Sequence, residues 1–155
     1  MDTEGRFAPE TAAAARERYD ALGSTARVVV REVARAMEMD AEEYDNRVTP
    51  EVVETAREAL FAESLEVRVA PRAAYEEWLA DRDYAAEEVG SEHVDRVVWH
   101  AAPFAETVVA ATFQDERRAA VGTLRRQAFG RLYRDAVTGE VEDTDDDGAS
   151  DERED

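Results

Sequence analysis

The chain has 155 residues, no cysteine and no lysine, and its 38 acidic side chains against 19 arginines give a formal net charge of −19. This length predicts a single domain, and the lack of cysteine excludes disulfides and thiolate metal sites. The apolar runs, such as those at 28–30 and 108–111, are too short to cross a bilayer. The acidic N-terminus "MDTEGRFAPE" lacks the apolar core of a signal peptide. We therefore expect a cytoplasmic protein without membrane contact.

The charge balance is the strongest compositional signal. An acidic excess in which arginine replaces all lysine is typical of a halophile, whose cytoplasm holds molar salt and whose carboxylate-rich protein surfaces stay hydrated. A GC-rich genome in an ordinary cell would also favour arginine codons, but it would not by itself produce the acidic surplus. The composition therefore predicts a halophilic protein.

The first part of the chain has helical periodicity. Residues 9–39 predict two helices, with Pro9 at the first helical position, Gly23 as the stop of the first helix and Ser24 as the cap of the second. The inward-facing positions expected for the second helix are Val30, Val33, Ala34 and Met37. A connection with room for one short helical turn follows.

Thr49 and Pro50 predict a clean start for a third helix, since Thr is a good N-cap and Pro suits the first helical position. The stretch "SLEVRVAP" then alternates apolar and polar residues, as in a half-buried strand that Pro71 ends. Residues 72–81 predict a short helix with one apolar side.

The last elements predicted are a hairpin and a helix. Residues 94–101 and 106–113 are rich in β-branched and aromatic residues, which predicts two antiparallel strands. Asp115 is expected to cap a final helix over roughly 116–137, which Thr138 and Gly139 would end.

The element order predicts an α+β fold with N-terminal helices, a small mainly antiparallel sheet containing a hairpin, and a long C-terminal helix. Helices are expected on one face of that sheet. One domain is expected over 1–137, made of a helical lobe over 9–63 and a sheet-containing lobe over 64–137. The remaining 138–155 hold ten acidic residues and are predicted to be a disordered tail.

Sites for chemistry are sparse in this sequence. The two histidines, His93 and His100, match no metal-ligand spacing, so neither a metal nor a cofactor is expected. No glycine-rich phosphate loop and no nucleophile elbow is present. His100 is expected at the sheet surface or satisfied by a hydrogen bond. A small enzyme with a site near His100 remains an alternative, and it requires a concave pocket containing that ring.

A helix-turn-helix reader of DNA is disfavoured by charge. The segment Thr49–Leu60 would be its recognition helix, yet it carries three glutamates and a single arginine. A helix that faces phosphates should be basic or neutral. The sequence therefore argues against a DNA partner.

The segment 117–134 is the one basic part of the chain, with six arginines and no acid. On a helical wheel, Val121, Leu124, Ala128 and Leu132 form a stripe that should be buried, with Phe129 beside it. Glycine inside a helix costs about 1 kcal/mol relative to alanine, a cost often offset by close approach of a ligand or another backbone. The expected contact surface, away from the stripe, comprises Arg118, Gly122, Arg126, Gly130, Arg131, Tyr133 and Arg134.

Three roles compete for these arginines. They can clamp the fold by pairing with acids of neighbouring elements, bind an acidic protein partner or a second copy of the chain, or contact RNA. In molar salt the Debye length is about 3 Å, so RNA would be held only through close bidentate bonds and stacking. The leading hypothesis is a non-enzymatic protein-interaction module that uses this helix, with RNA binding as the alternative.

Four stretches of the chain carry a family resemblance. They are "ETAAAARERYDALG", "VVREVARAMEMD", "VVETAREALFAESLEVRV" and the long segment from "VDRVVWHAAPF" to "FGRLYRD". Together they resemble a family of small haloarchaeal proteins catalogued as a domain of unknown function. The resemblance covers about 1–137. It implies a haloarchaeal origin and a cytoplasmic setting, and it supplies no activity, cofactor or site residue.

Overall fold

The computed structural model describes residues 1–138, so the predicted tail, apart from Thr138, lies outside the described residues. The helices are α1 (Ala12–Ala36), α2 (Ala41–Arg47), α3 (Pro50–Ser64), α4 (Arg72–Ala80), α5 (Arg117–Ala128) and α6 (Arg134–Val137). The strands are β1 (Asp2–Glu4), β2 (Val67–Pro71), β3 (Ala85–Val89), β4 (Arg96–Ala102) and β5 (Thr107–Phe113). Within the described residues, no helix is long and apolar enough to cross a membrane.

The five strands form one sheet in the order β1-β2-β4-β5-β3. All neighbouring pairs are antiparallel except β3 and β5, which run parallel. The predicted hairpin is confirmed as β4 and β5, with a short 3₁₀ segment, Pro103–Ala105, between them. The predicted α+β class with a mainly antiparallel sheet is thereby confirmed.

Helices cover both faces of the sheet, so the expectation of helices on one face was wrong. Along β4 the side chains alternate: Val98 and Ala102 join the core against α1, α3 and α5, while Val97 and Trp99 join a second cluster with Tyr75 of α4. The physical reason is that β4 is apolar at successive positions and is buried on both faces, as expected for a central strand.

The two helices predicted over 9–39 are one continuous helix, α1, so Gly23 does not end a helix. Thr11 caps it through a bond from the Ala14 amide. Arg57 explains why a glycine lies within it: its Nε donates to the Tyr19 carbonyl at 2.9 Å, and a Cβ at position 23 would lie 3.3 Å from its Nη2. A tertiary contact therefore overrides the local cost of the glycine.

The inward face expected for the second half of α1 is only partly correct. Val30 and Ala34 are buried against the rest of the protein, as predicted. Val33 and Met37 are more than half exposed instead. The helix turns its Ala26, Val30 and Ala34 side toward α3, which leaves the neighbouring apolar side open.

The predicted start of the third helix and the predicted strand after it are confirmed. Thr49 caps α3 by accepting from the Val52 amide at 3.2 Å, with Pro50 in the first turn. The period-two stretch forms β2, with Leu65, Val67 and Val69 buried. Two strands were not predicted: β1 and the wholly exposed β3 are short and acidic, and only their sheet partners define them.

The predicted single C-terminal helix is interrupted. α5 ends at Ala128, a π-helical turn over Phe129–Tyr133 follows, and α6 completes the segment. The Arg134 amide bonds to the Phe129 carbonyl five residues earlier, which is the π pattern. Asp115 does not cap α5. The residue directly before α5 is Glu116, which has a left-handed conformation with φ 58° and makes no side-chain cap.

Candidate functional site on the C-terminal helix

Arg117 clamps the N-terminal strand to the start of α5. Its Nη1 lies 2.8 Å from Asp2, and its Nη2 lies 2.8 Å from Glu4. Its hydrogen bond and positive charge lower the pKa of Asp2, and the two carboxylates raise the pKa of Arg117. This arginine is therefore committed to the protein's own fold.

Arg125 is buried, with 9% of its surface exposed. Its Nε donates to the Leu65 carbonyl at 3.0 Å, and its Nη1 lies 3.6 Å from Glu63. Gly5, with φ +80°, passes so close that an added Cβ would lie 2.7 Å from the Arg125 Nη2. A buried guanidinium needs such partners, because an unpaired charge in the interior is costly.

Two further arginines pair with acids of other elements. Arg131 lies 3.6 Å from Glu87 of β3, and Arg134 lies 3.3 Å from Glu58 of α3. Both pairs are largely exposed, and ion pairs of this kind contribute about 0–1 kcal/mol. The clamp interpretation therefore accounts for four of the six arginines in the basic segment.

Arg118 and Arg126 have no ion-pair partner within residues 1–138, and both side chains are exposed. They line one cleft of about 730 Å³ along α5, together with Gly122 between them. Spacings of four residues place Arg118, Gly122 and Arg126 on one side of the helix. The structure thus brings three of the predicted contact residues together.

The two helix-interior glycines face open space. A Cβ at Gly122 would meet only Arg126, at 3.5 Å, and a Cβ at Gly130 would meet only Arg134, also at 3.5 Å. Nothing within the described part of the chain presses on either glycine. Close packing inside this protein therefore does not explain them.

Tyr133 does not belong to the exposed surface, and its predicted position on the side opposite the buried stripe was wrong. It is fully buried, and its hydroxyl lies 2.6 Å from Nε2 of His100. The π turn is the cause, since its wider winding shifts the phase of the following residues relative to a regular helix. The predicted stripe is confirmed at Val121, Leu124 and Ala128, which are buried, whereas Leu132 is only partly buried.

His100 is a satisfied core residue rather than a surface group. Its Nδ1 lies 2.6 Å from the Glu66 carbonyl, which can only accept, so Nδ1 carries the proton and Nε2 accepts from the Tyr133 hydroxyl. Burial lowers the pKa of His100 to about 4 and raises the pKa of Tyr133. The pair is neutral near pH 7 and holds β4 against the π turn and the residue before β2.

The conditions for the enzyme alternative are not met at His100. Its ring is 1% exposed, and both nitrogens are engaged. His93 lies in the exposed loop before β4. Within residues 1–138, no group of three or more His, Asp or Glu side chains is arranged to hold a metal ion.

Comparison with known proteins yields one match. The family described as "Family of unknown function (DUF5809)" matches residues 6–134, which includes every described helix except most of α6 and every strand except β1. No curated protein matches the chain, and no solved structure does. The matched range spans most of the sequence and contains α5 and the His100–Tyr133 pair, and the chain therefore belongs to the family of unknown function DUF5809.

Proposed function

We propose that this protein is a non-enzymatic interaction module that binds an acidic protein partner through Arg118 and Arg126 on α5. The observation that carries the proposal is that these two exposed arginines, without ion pairs inside residues 1–138, line one cleft beside Gly122. Guanidinium groups bind carboxylates through paired hydrogen bonds, and these contacts persist in salt that screens plain charge attraction.

The charge of the cleft supports an acidic partner. Four guanidinium groups and the carboxylates of Glu4 and Glu63 line it, which leaves the cleft positive by two in a chain of formal charge −19. Arg117 and Arg125 are already neutralised by these acids. A partner would therefore be recognised by Arg118 and Arg126, with Gly122 allowing its backbone to approach α5.

RNA is the less favoured partner for this cleft. Sequence-tolerant RNA binding uses exposed aromatic side chains as stacking platforms. Tyr133, the aromatic residue expected on this surface, is buried. Halophilic origin and a cytoplasmic setting belong to this proposal too, and they rest on the composition.

Two pairs of exposed arginines, one in the cleft and one outside it, give a matched test. Arg118→Gln with Arg126→Gln should weaken capture of a protein partner from a native molar-KCl extract by about tenfold or more, since interface arginines each contribute about 1–2 kcal/mol. The free energy of unfolding should change by less than about 0.5 kcal/mol, because both side chains are exposed.

The control is Arg27→Gln with Arg31→Gln, two exposed arginines of α1 outside the cleft. This variant removes the same charge and should leave partner capture unchanged. Equal loss of capture in both variants would reduce the effect to net charge and contradict the proposal. Crosslinking that recovers RNA rather than protein from the cleft would favour the RNA alternative.

A further inference from the structure

A second concave site lies on the other face of the sheet, away from the arginine cleft. It is a cavity of about 320 Å³ between α4 and the loop that follows β3. Its floor is made of Val97 and Ala110, both buried, and Tyr75 of α4 forms one wall. This volume is at the small end of the range found for sites of small molecules.

The loop at the mouth of this cavity is fixed in place. Gly90 has φ +113°, and any Cβ there would collide with the Thr112 hydroxyl. The Ser91 amide donates to that hydroxyl at 3.1 Å, and Nη2 of Arg72 donates to the Ser91 and Val94 carbonyls at 2.9 and 3.1 Å. The cavity is therefore preformed, which lowers the ordering cost of binding.

Two hydroxyls at the cavity have no acceptor among the described residues, and the guanidinium of Arg72 lies beside them. The hydroxyls of Ser91 and Thr112 each accept from a backbone amide, which leaves their own protons to donate. A guanidinium and two hydroxyls around one cavity suit a carboxylate.

Acceptors lie on the same cavity. The Glu88 carboxylate accepts from the Tyr75 hydroxyl at 2.6 Å and retains further lone pairs, and Glu92 lines the site as well. These carboxylates suit an ammonium group. The cavity thus presents both donors and acceptors to a small molecule.

We propose that this cavity binds a small zwitterion with a carboxylate and an amino group, the chemistry of a free α-amino acid. Arg72, Ser91 and Thr112 hold the carboxylate, and Glu88 with Glu92 holds the ammonium group. Val97 and Ala110 bound the space for a side chain. This site is independent of the proposed acidic partner, because it shares no residue with the arginine cleft.

NMR titration of the full chain in molar KCl tests the proposal, with the amide signals of Gly90, Ser91 and Thr112 as the readout. L-alanine should shift these signals in a saturable manner. Acetate and ethylamine, which each carry one of the two charges, should bind at least tenfold more weakly. Glu88→Gln and Ser91→Ala should each weaken alanine binding by about tenfold, the effect of one charge-assisted hydrogen bond.

The matched control is Glu76→Gln, an exposed position of α4 that does not line the cavity, and it should bind alanine as the native chain does. Circular dichroism of each variant separates lost binding from lost folding. Acetate that binds as tightly as alanine, or Glu88→Gln that leaves alanine binding unchanged, would overturn the zwitterion assignment. Absence of any saturable shift at these amides with alanine would overturn the site itself.

Discussion

One buried imidazole joins three distant segments of the chain. His100 of β4 donates to the Glu66 carbonyl before β2 and accepts from Tyr133 in the π turn. The bond to Tyr133 is buried and the bond to Glu66 is partly buried, and a buried polar atom left unpaired costs about 1–3 kcal/mol. At the residue scale, removal of either bond should therefore destabilise the fold.

Tyr133→Phe tests that link. The change keeps the ring and removes only the hydroxyl, so Nε2 of His100 loses its donor and stability should fall by about 1–3 kcal/mol. Chemical denaturation in molar KCl measures the loss. Tyr84→Phe is the control, since the Tyr84 hydroxyl makes no hydrogen bond within residues 1–138, and equal effects in both variants would contradict the role of the link.

The lowered pKa of His100 makes the stability of the fold depend on pH. Burial lowers it from 6.5 to about 4 in the folded chain, so between those values the unfolded chain binds more protons. The stabilisation is complete above pH 6.5 and is lost as pH falls toward 4, with a slope approaching about 1.4 kcal/mol per pH unit. Between pH 5 and 7, the denaturation midpoint of His100→Gln should depend less on pH than that of the native chain. His93→Gln should retain the native slope.

Of two adjacent arginines, one is held by the fold and the other is exposed, and the sequence alone could not show which is which. Arg117 and Arg125 are held by acids and by the Leu65 carbonyl, while their neighbours Arg118 and Arg126 remain exposed. The partners of the clamping pair lie about 60 or more residues away along the chain. Helical spacing predicts which side of α5 is buried, but not which acid reaches that side.

At the scale of elements, the π turn determines which side chains after Ala128 are buried. It turns Tyr133 into the core and leaves Gly122 as the glycine inside α5. The insertion gives no sequence signal of its own here, because an apolar stripe over 121–132 fits a regular helix equally well.

Gly122→Ala should affect the stability of the fold and the capture of the partner in opposite directions. The added Cβ meets only Arg126, at an ordinary 3.5 Å, so the higher helix propensity of alanine should stabilise the fold by about 0.5–1 kcal/mol. Capture of the acidic partner should nevertheless weaken, because the methyl group fills the approach to α5. Thermal unfolding and pull-down in molar KCl measure the two effects, and unchanged capture would remove Gly122 from the contact surface.

Gly5→Ala should have the opposite effect on stability. Gly5 has φ +80°, and a Cβ there would lie 2.5 Å from the Leu65 carbonyl oxygen and 2.7 Å from Arg125. Strain and collision together should cost about 2 kcal/mol or more, measured by denaturation. A variant as stable as the native chain would show that β1 and the Arg125 contact contribute little.

Elements with strong local chemistry could be predicted, and elements defined by tertiary contacts could not. Thr49 with Pro50 and the alternation of β2 are local signals that tertiary contacts left intact. Gly23 gave a false stop because Arg57, 34 residues later, occupies the space of its missing side chain. The cavity above Ala110 could not be predicted either, since its walls come from separate elements that only the fold brings together.

At the scale of the whole molecule, a formal charge of −19 predicts a requirement for salt. The Debye length is about 10 Å at 0.1 M and about 3 Å at 1 M, so repulsion among the carboxylates grows as KCl is removed. Circular dichroism should show unfolding as KCl falls below about molar. Spectra unchanged at low salt would contradict the halophilic interpretation of the composition.

Truncation after Thr138 provides a matched comparison for that experiment. It removes ten acidic residues and one arginine, which changes the formal charge from −19 to −10. If repulsion drives the unfolding, the shortened chain should stay folded to a lower KCl concentration. An unchanged salt midpoint would assign the effect to the charges of residues 1–138 alone.

The ion pairs between β1 and Arg117 have a consequence for biosynthesis. Asp2 to Glu4 pair with Val67 to Val69, and the ion pairs of β1 require Arg117. During translation the N-terminal strand therefore leaves the ribosome with no partner, and more than a hundred further residues must emerge before both contacts can form. β1 is therefore synthesised well before Arg117, and its ion pairs can form only after that residue has emerged.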